Sequence, residues 1–256
     1  MLTIHFLGTG TSQGVPVIGS SHPVCLSTNP KDKRLRVSVL IQWGDTNLVI
    51  DCGPDFRQQM LRVNCAYLDG ILFTHEHADH TAGLDDIRPY FFRQGDIPIY
   101  ATQHVLDNLS NRFYYIFVNE NKYPGAPNVQ QHQIDAHTPF VLDGMTVIPV
   151  EVYHNTLPVL GFRILNFCYL TDVKTISTGE LKKLHDLDVL VLSALRIEPH
   201  SNHLNLEEAL SLIRLINPKR AYLTHISHLM GFHDEVSKNL PKNVFLAYDT
   251  LTVTSN

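Results

Sequence analysis

The segment Thr74-His75-Glu76-His77-Ala78-Asp79-His80 places three histidines and an aspartate within six consecutive positions. It follows the apolar run Ile71-Leu72-Phe73, which reads as a strand. Alternate residues of a strand share a face, so a strand tip aims His75 and His77 to one side. Asp79 and His80 then fall on the turn or first helical residues beyond, facing the same space from another direction. Neutral imidazoles and carboxylates are ligands that suit zinc, manganese or iron. One cation could use His75 and His77, and Asp79 with His80 suits a second close by. Such a pair cleaves phosphate esters and related bonds with activated water. The segment is not the helical zinc-protease signature, because Asp79 stands where that signature needs its second histidine.

Other apolar runs end on the same residue types. Phe167-Cys168-Tyr169-Leu170-Thr171 leads to Asp172, and Ala221-Tyr222-Leu223-Thr224 leads to His225. His154 follows a strand expected over 145–153. Ligands at the carboxyl ends of strands can converge in one crevice, where α/β proteins usually build their sites. Asp172 is suited to bridge two cations, because a carboxylate has two oxygens. Together with the first cluster these residues complete two coordination shells.

The elements that must position these residues are legible in the pattern. Residues 2–7 read as a strand, followed by the loop Gly8-Thr9-Gly10-Thr11-Ser12-Gln13-Gly14-Val15-Pro16. Its glycines allow close approach of a substrate. No Gly-Lys-Ser/Thr follows, which excludes a nucleotide triphosphate loop. Residues 36–43 and 46–51 form a hairpin around Gly44-Asp45, 54–63 a helix with Pro54 in its first turn, and 70–74 the strand before the cluster. Helices follow at 84–93 and 102–111, separated by a strand at 97–101. The aromatic stretch within 112–130 reads as a core segment with a turn; a lid or subunit contact is the alternative. Strands are expected at 131–134, 139–142, 145–153, 159–165 and 167–171. Helices at 177–184, 205–215 and 232–239 then alternate with strands at 188–193, 219–224 and 244–248. Meander strands first and alternation later predict mixed sheets covered by helices, with two packed sheet layers and a weak two-fold internal repetition.

Composition bounds the rest. The 256 residues are 44% hydrophobic, enough for a sizeable core in one domain over 1–256. A net charge of -5 argues against a nucleic-acid partner, which calls for a basic face. Cys25, Cys52, Cys65 and Cys168 have no disulfide-framework spacing, and no secretory signal opens the chain, so the expectation is a cytoplasmic protein with reduced thiols. No apolar run is long enough to cross a membrane.

His75-Glu76-His77-Ala78-Asp79-His80, then His154, Asp172 and His225, resembles the ligand set of the metallo-β-lactamase superfamily, in order and across nearly the whole chain. Gly8-Thr9-Gly10, Ile50-Asp51-Cys52-Gly53-Pro54-Asp55-Phe56 and Thr224-His225-Ile226-Ser227-His228 narrow the resemblance to PhnP-type phosphoribosyl cyclic phosphodiesterases. The resemblance implies an α/β, four-layered αββα sandwich of two mixed sheets flanked by helices. It implies two divalent metals, manganese or zinc. His75, His77 and His154 would hold one; Asp79, His80 and His225 would hold the other; Asp172 would bridge. Asp51 would orient the ligand histidines, and His203 matches a histidine acting on the leaving group, so that His203, Asp79 and Asp172 form the catalytic set. It also implies a homodimer and a place in phosphonate metabolism. The expected reaction is hydrolysis of a small, cyclic phosphodiester by a metal-activated hydroxide, with Gln13, Arg57 and His233 as candidate substrate contacts.

The chain departs from its relatives in one place. They often carry a separate structural zinc, with three cysteines after the first loop and a late histidine. Here Ser20 and His22 stand where cysteines are expected, while Cys25 and His228 remain. Two readings stay open, a three-ligand site of His22, Cys25 and His228 or no site. Three alternatives compete with the phosphodiesterase. A transfer-RNA 3′-processing nuclease would need a basic arm, and 112–130 offers only Arg112 and Lys122 against Glu120. A thiolester hydrolase would use the same ligands. A metal-binding scaffold would predict eroded ligands, and the set here is intact.

Overall fold

The computed structural model describes residues 1–118, 120 and 122–255. Strands β1 (Leu2–Gly8), β2 (Ser38–Trp43) and β3 (Thr46–Ile50) form an antiparallel meander. β4 (Gly70–Leu72), β5 (Ile97–Ala101) and β6 (Val129–Gln133) extend it in parallel. The second sheet repeats this plan. β7 (Phe140–Leu142) and β8 (Met145–His154) lead into β9 (Leu157–Ile164) and β10 (Phe167–Leu170) as antiparallel neighbours. After the two-residue β11 (Thr175–Ile176) come the parallel strands β12 (Val189–Ser193), β13 (Arg220–Thr224) and β14 (Val244–Leu246). The last strand, β15 (Thr252–Ser255), returns to the first sheet and pairs with β1. The two-fold repetition expected from the sequence is therefore present in the strand order.

The four layers follow from the period-2 alternation of strand side chains. Val189 and Val191 join Val39, Ile41 and Phe162 in the core between the sheets, whereas Leu190 and Leu192 turn outward onto Ala209 and Ile213 of the helix Leu206–Ile216. On the other side Val49, Ile71 and Ile99 pack against Phe56 and Met60 of the helix Phe56–Val63 and Val105 and Leu109 of the helix Gln103–Arg112. Burying each such side chain contributes about 1.5–3 kcal/mol. Parallel strands need crossover helices, and these connections supply the outer layers. Among the described residues no helix is long and apolar enough to cross a membrane.

Four differences from the sequence reading have physical causes. β4 stops at Leu72, because the Thr74 amide turns to the Asp51 carboxylate (2.9 Å). β15 has one apolar residue among Thr252-Val253-Thr254-Ser255, and it is specified by the exposed edge of β1 rather than by its own pattern. A short helix, Pro23–Leu26, is capped by the His22 side chain. In the loop after β1 the first glycine is required by backbone packing. A Cβ on Gly8 would lie 2.0 Å from the Arg36 carbonyl, and the loop is laced to the β13 end by Ile226 N–H donating to Thr9 O (2.9 Å).

Candidate metal centre

Three of the strand ends at the crevice finish in a left-handed backbone conformation on a non-glycine residue: Asp51 (φ 63°) beyond β3, Asp172 (φ 54°) beyond β10 and His225 (φ 55°) beyond β13. Such residues carry strain and cluster at functional sites. Asp51 and Asp172 hold equivalent places in the two repeats, each just past the third strand of a meander. The turn around Asp51 is fixed by contact. A Cβ on Gly53 would sit 2.1 Å from the Asp79 carbonyl, so only glycine lets these backbones meet.

Asp51 is fully buried and holds two histidines. His80 Nδ1 lies 2.6 Å from one carboxylate oxygen. The Thr74 hydroxyl donates to the same carboxylate at 2.9 Å and stands 3.0 Å from His75 Nδ1. His154 Nδ1 donates to the Asn202 carbonyl at 2.8 Å. Each contact occupies one ring nitrogen and leaves Nε2 of that ring to face the crevice. Sequence reasoning missed Thr74 and Asn202. Thr74 had a signal, since it directly precedes His75, but a backbone carbonyl such as that of Asn202 leaves none.

The free atoms converge. Among the described residues three groups of potential ligand atoms lie within 4.8 Å of one another: His75, His80 and Asp172; Asp79, His80 and His225; His154, Asp172 and His203. His80 Nε2 is 3.1 Å from Asp172 and 3.3 Å from Asp79. His225 Nε2 is 3.4 Å from Asp172 and 3.6 Å from Asp79. These nitrogens, with His75 Nε2 and His203 Nδ1, are buried without an aligned hydrogen-bond partner. Orphaned buried atoms of this kind are costly, and a cation among them would satisfy them together. His77 stands outside the three groups; its ring centroid is 4.6 Å from that of His75 and 5.5 Å from that of His154.

The electrostatics fit a cation. Burial lowers the pKa of His80, but Asp51, Asp79 and Asp172 overcome this and hold it well above the usual imidazole range. Burial opposes ionisation of Asp79 and Asp172, yet the neighbouring His80 and His225 hold both well below the carboxylate range. The crevice thus draws a positive charge into its centre, and a divalent cation would supply it in place of the proton. His75 is pushed down by burial and by His80. His203 is pushed down to about 3, by burial and then by His225. Its Nδ1 stands 3.6 Å from Asp172, and its ring is 4.3 Å from that of His154.

The other expected site residues lie elsewhere. Arg57 lines a separate cavity with Met60, Asp86, Tyr90 and Arg93, because it leaves the helix Phe56–Val63 on the side away from the strand ends. His233 is buried with Nδ1 3.2 Å from Arg34 Nη2 and its ring edge-on to Tyr248, so it braces the loop behind β1. Gln13 is exposed on the loop after β1. Of the peripheral trio, His22 and His228 meet edge to face at 4.9 Å, but His22 Nδ1 accepts the Val24 N–H and Cys25 Sγ accepts the Val17 N–H. No ligand group forms there among the described residues.

Comparison with known proteins adds the context. Residues 46–226 match the model of the beta-lactamase superfamily domain. The crystal structure of a new diphosphatase from the PhnP family superposes with a TM-score of 0.92 at 39% identity, over 98% of this chain and 96% of that one. An octanoyltransferase of Porphyromonas gingivalis is 38% identical over 247 residues, 96% of this chain but 50% of that protein. The chain thus spans about half the length of that relative. A ribonuclease Z of Mycobacterium sp. (strain KMS) is 24% identical over 195 residues, 70% of this chain and 65% of that protein.

Proposed function

The chain belongs to the beta-lactamase superfamily, and from that premise we propose that it is a two-metal hydrolase of small phosphodiesters, with cyclic sugar phosphates such as phosphoribosyl cyclic phosphate as the leading class. The observation that carries this reading is the placement of Asp172. Its carboxylate lies within 4.8 Å of ligand atoms of both His75, from one ligand set, and His80, from the other, and its second oxygen stands 3.4 Å from His225 and 3.6 Å from His203. The 39% identity to a PhnP-family diphosphatase supports phosphate chemistry.

In this reading His75, His77 and His154 hold one divalent cation, manganese or zinc, and Asp79, His80 and His225 hold the other, with Asp172 between. When bound, the pair neutralises phosphate charge and activates water near neutral pH. Asp51 keeps His80 and, through Thr74, His75 in the tautomer whose Nε2 faces the crevice. Asn202 does the same for His154. His203 is placed to pass a proton to the leaving sugar oxygen. Burial and His225 keep it neutral, and an anionic phosphate beside it opposes both effects, so its protonation follows substrate binding.

The test is turnover by manganese-loaded protein of 5-phosphoribosyl 1,2-cyclic phosphate, a generic aryl phosphodiester and a diphosphate diester. Preferred opening of the cyclic sugar phosphate supports the proposal. Preference for the diphosphate diester moves the substrate class toward that of the structural relative. Precursor transfer RNA and an octanoyl thioester complete the panel, because relatives carry those names. Turnover of either one alone would overturn the phosphodiesterase reading.

A further inference from the structure

Arg57 lines a cavity of about 360 Å³ between the helices Phe56–Val63 and Arg88–Gln94, separate from the metal centre. Its floor is apolar: Phe56, Met60 and Tyr90 are 0%, 5% and 6% exposed. Leu61 extends the apolar surface outward, 64% exposed. Arg57 and Arg93 line the same cavity and are exposed.

The arginine ion pairs of the described residues belong to Arg36, Arg62 and Arg88. Among the described residues, then, no carboxylate within ion-pairing distance neutralises Arg57 or Arg93. Arg93 donates to the Ala66 carbonyl and lies over the Tyr90 ring, 5.9 Å from its centroid. These contacts hold its guanidinium at the cavity without removing its charge. Asp86, the acid in the lining, accepts the backbone N–H of Arg57. Its charge also acts on the Arg57 guanidinium, but from beyond ion-pairing distance.

An apolar floor with two guanidiniums outside any ion pair is complementary to one kind of ligand. The apolar part of the ligand gains from leaving water, and its anionic head meets planar donors that match carboxylate, sulfonate and phosphate geometry. We propose that this cavity is a second ligand site, for a small anion with an aryl or alkyl body, distinct from the phosphate-binding crevice. It gives Arg57 a role that the metal centre does not.

The probe is 8-anilinonaphthalene-1-sulfonate, an aryl sulfonate that fluoresces in apolar surroundings. It is titrated into the full, manganese-loaded chain with excess inorganic phosphate to mask the crevice. Saturable single-site binding is expected, weakened about tenfold in Arg57→Gln and in Arg93→Gln, as loss of a charge-assisted contact implies. The double variant should lose saturable binding, while Arg57→Lys should retain most of it. Both arginines are exposed, so these variants should fold, and circular dichroism checks that they do. Absence of saturable binding, or equal binding by the folded double variant, overturns the proposal. Loss of binding in Asp172→Ala but not in the double variant would put the anion in the crevice and overturn it as well.

Discussion

The crevice and the His22–Cys25–His228 cluster use overlapping residue types, yet only the crevice gathers its ligand atoms. The difference lies in what the other atoms of those side chains do. In the crevice, Asp51, Thr74 and the Asn202 carbonyl each take one ring nitrogen and leave the second free to face its neighbours. At the periphery, two of the potential ligand atoms are themselves hydrogen-bond acceptors, His22 Nδ1 for Val24 and Cys25 Sγ for Val17, which among the described residues leaves only His228 Nδ1 of this trio buried without a partner. A ligand residue becomes a ligand when a fixed acceptor behind it turns the lone pair outward.

The strongest way to break this comparison is Asp172→Ala. It removes the carboxylate between the two histidine sets, and both metal content and activity should fall to the background of metal-free protein. A fully metallated, active variant would refute the crevice as the site. Next is His203→Ala, which should lower kcat by about 10²–10⁴-fold, the usual worth of a proton-transfer group, with metal content by elemental analysis unchanged. Loss of metal instead would make His203 a ligand.

Asp51→Asn sharpens the point, since it touches no cation. Metal affinity should weaken by about 10–100-fold, as read by competition with a chelator. Thr74→Val, which frees His75 alone, should fall at the lower end of that range. An unchanged affinity in both would detach tautomer control from metal binding.

The pH prediction is smaller. In metal-free protein His203 has its pKa pushed down to about 3, below that of an exposed imidazole near 6.5. The unfolded chain therefore takes this proton first on acidification. The stability from His203 is complete above pH 6.5 and is lost as pH falls toward 3. His203→Gln should flatten the decline of Tm over this window by on the order of a few degrees, measured by thermal unfolding in chelator. The smallest effect belongs to the periphery. His22→Ala with His228→Ala should leave two metals per chain and unchanged turnover. A third zinc in the parent chain, lost in the variant, would overturn the distinction between the clusters.

Strand-end chemistry was legible where apolar runs met ligand residues, as at Phe73-Thr74-His75 and Leu223-Thr224-His225. The layer order was legible from the meander-then-alternation pattern. β15 was not, because an edge strand with one apolar residue is defined by the strand it joins. The positions of Arg57, in a separate cavity, and His233, against Arg34, were not legible because sequence does not say which side of a helix a side chain leaves.

The sequence by itself determined which residues can bind metal and that they sit at strand ends, since residue type and period-2 alternation are local properties. Only the tertiary structure decided which of them converge. Convergence depends on left-handed turns at Asp51, Asp172 and His225 and on acceptors up to 48 residues away in the chain, as between His154 and Asn202. Those contacts exist only once the two sheets have packed, because no local pattern records which distant carbonyl will stand behind a histidine.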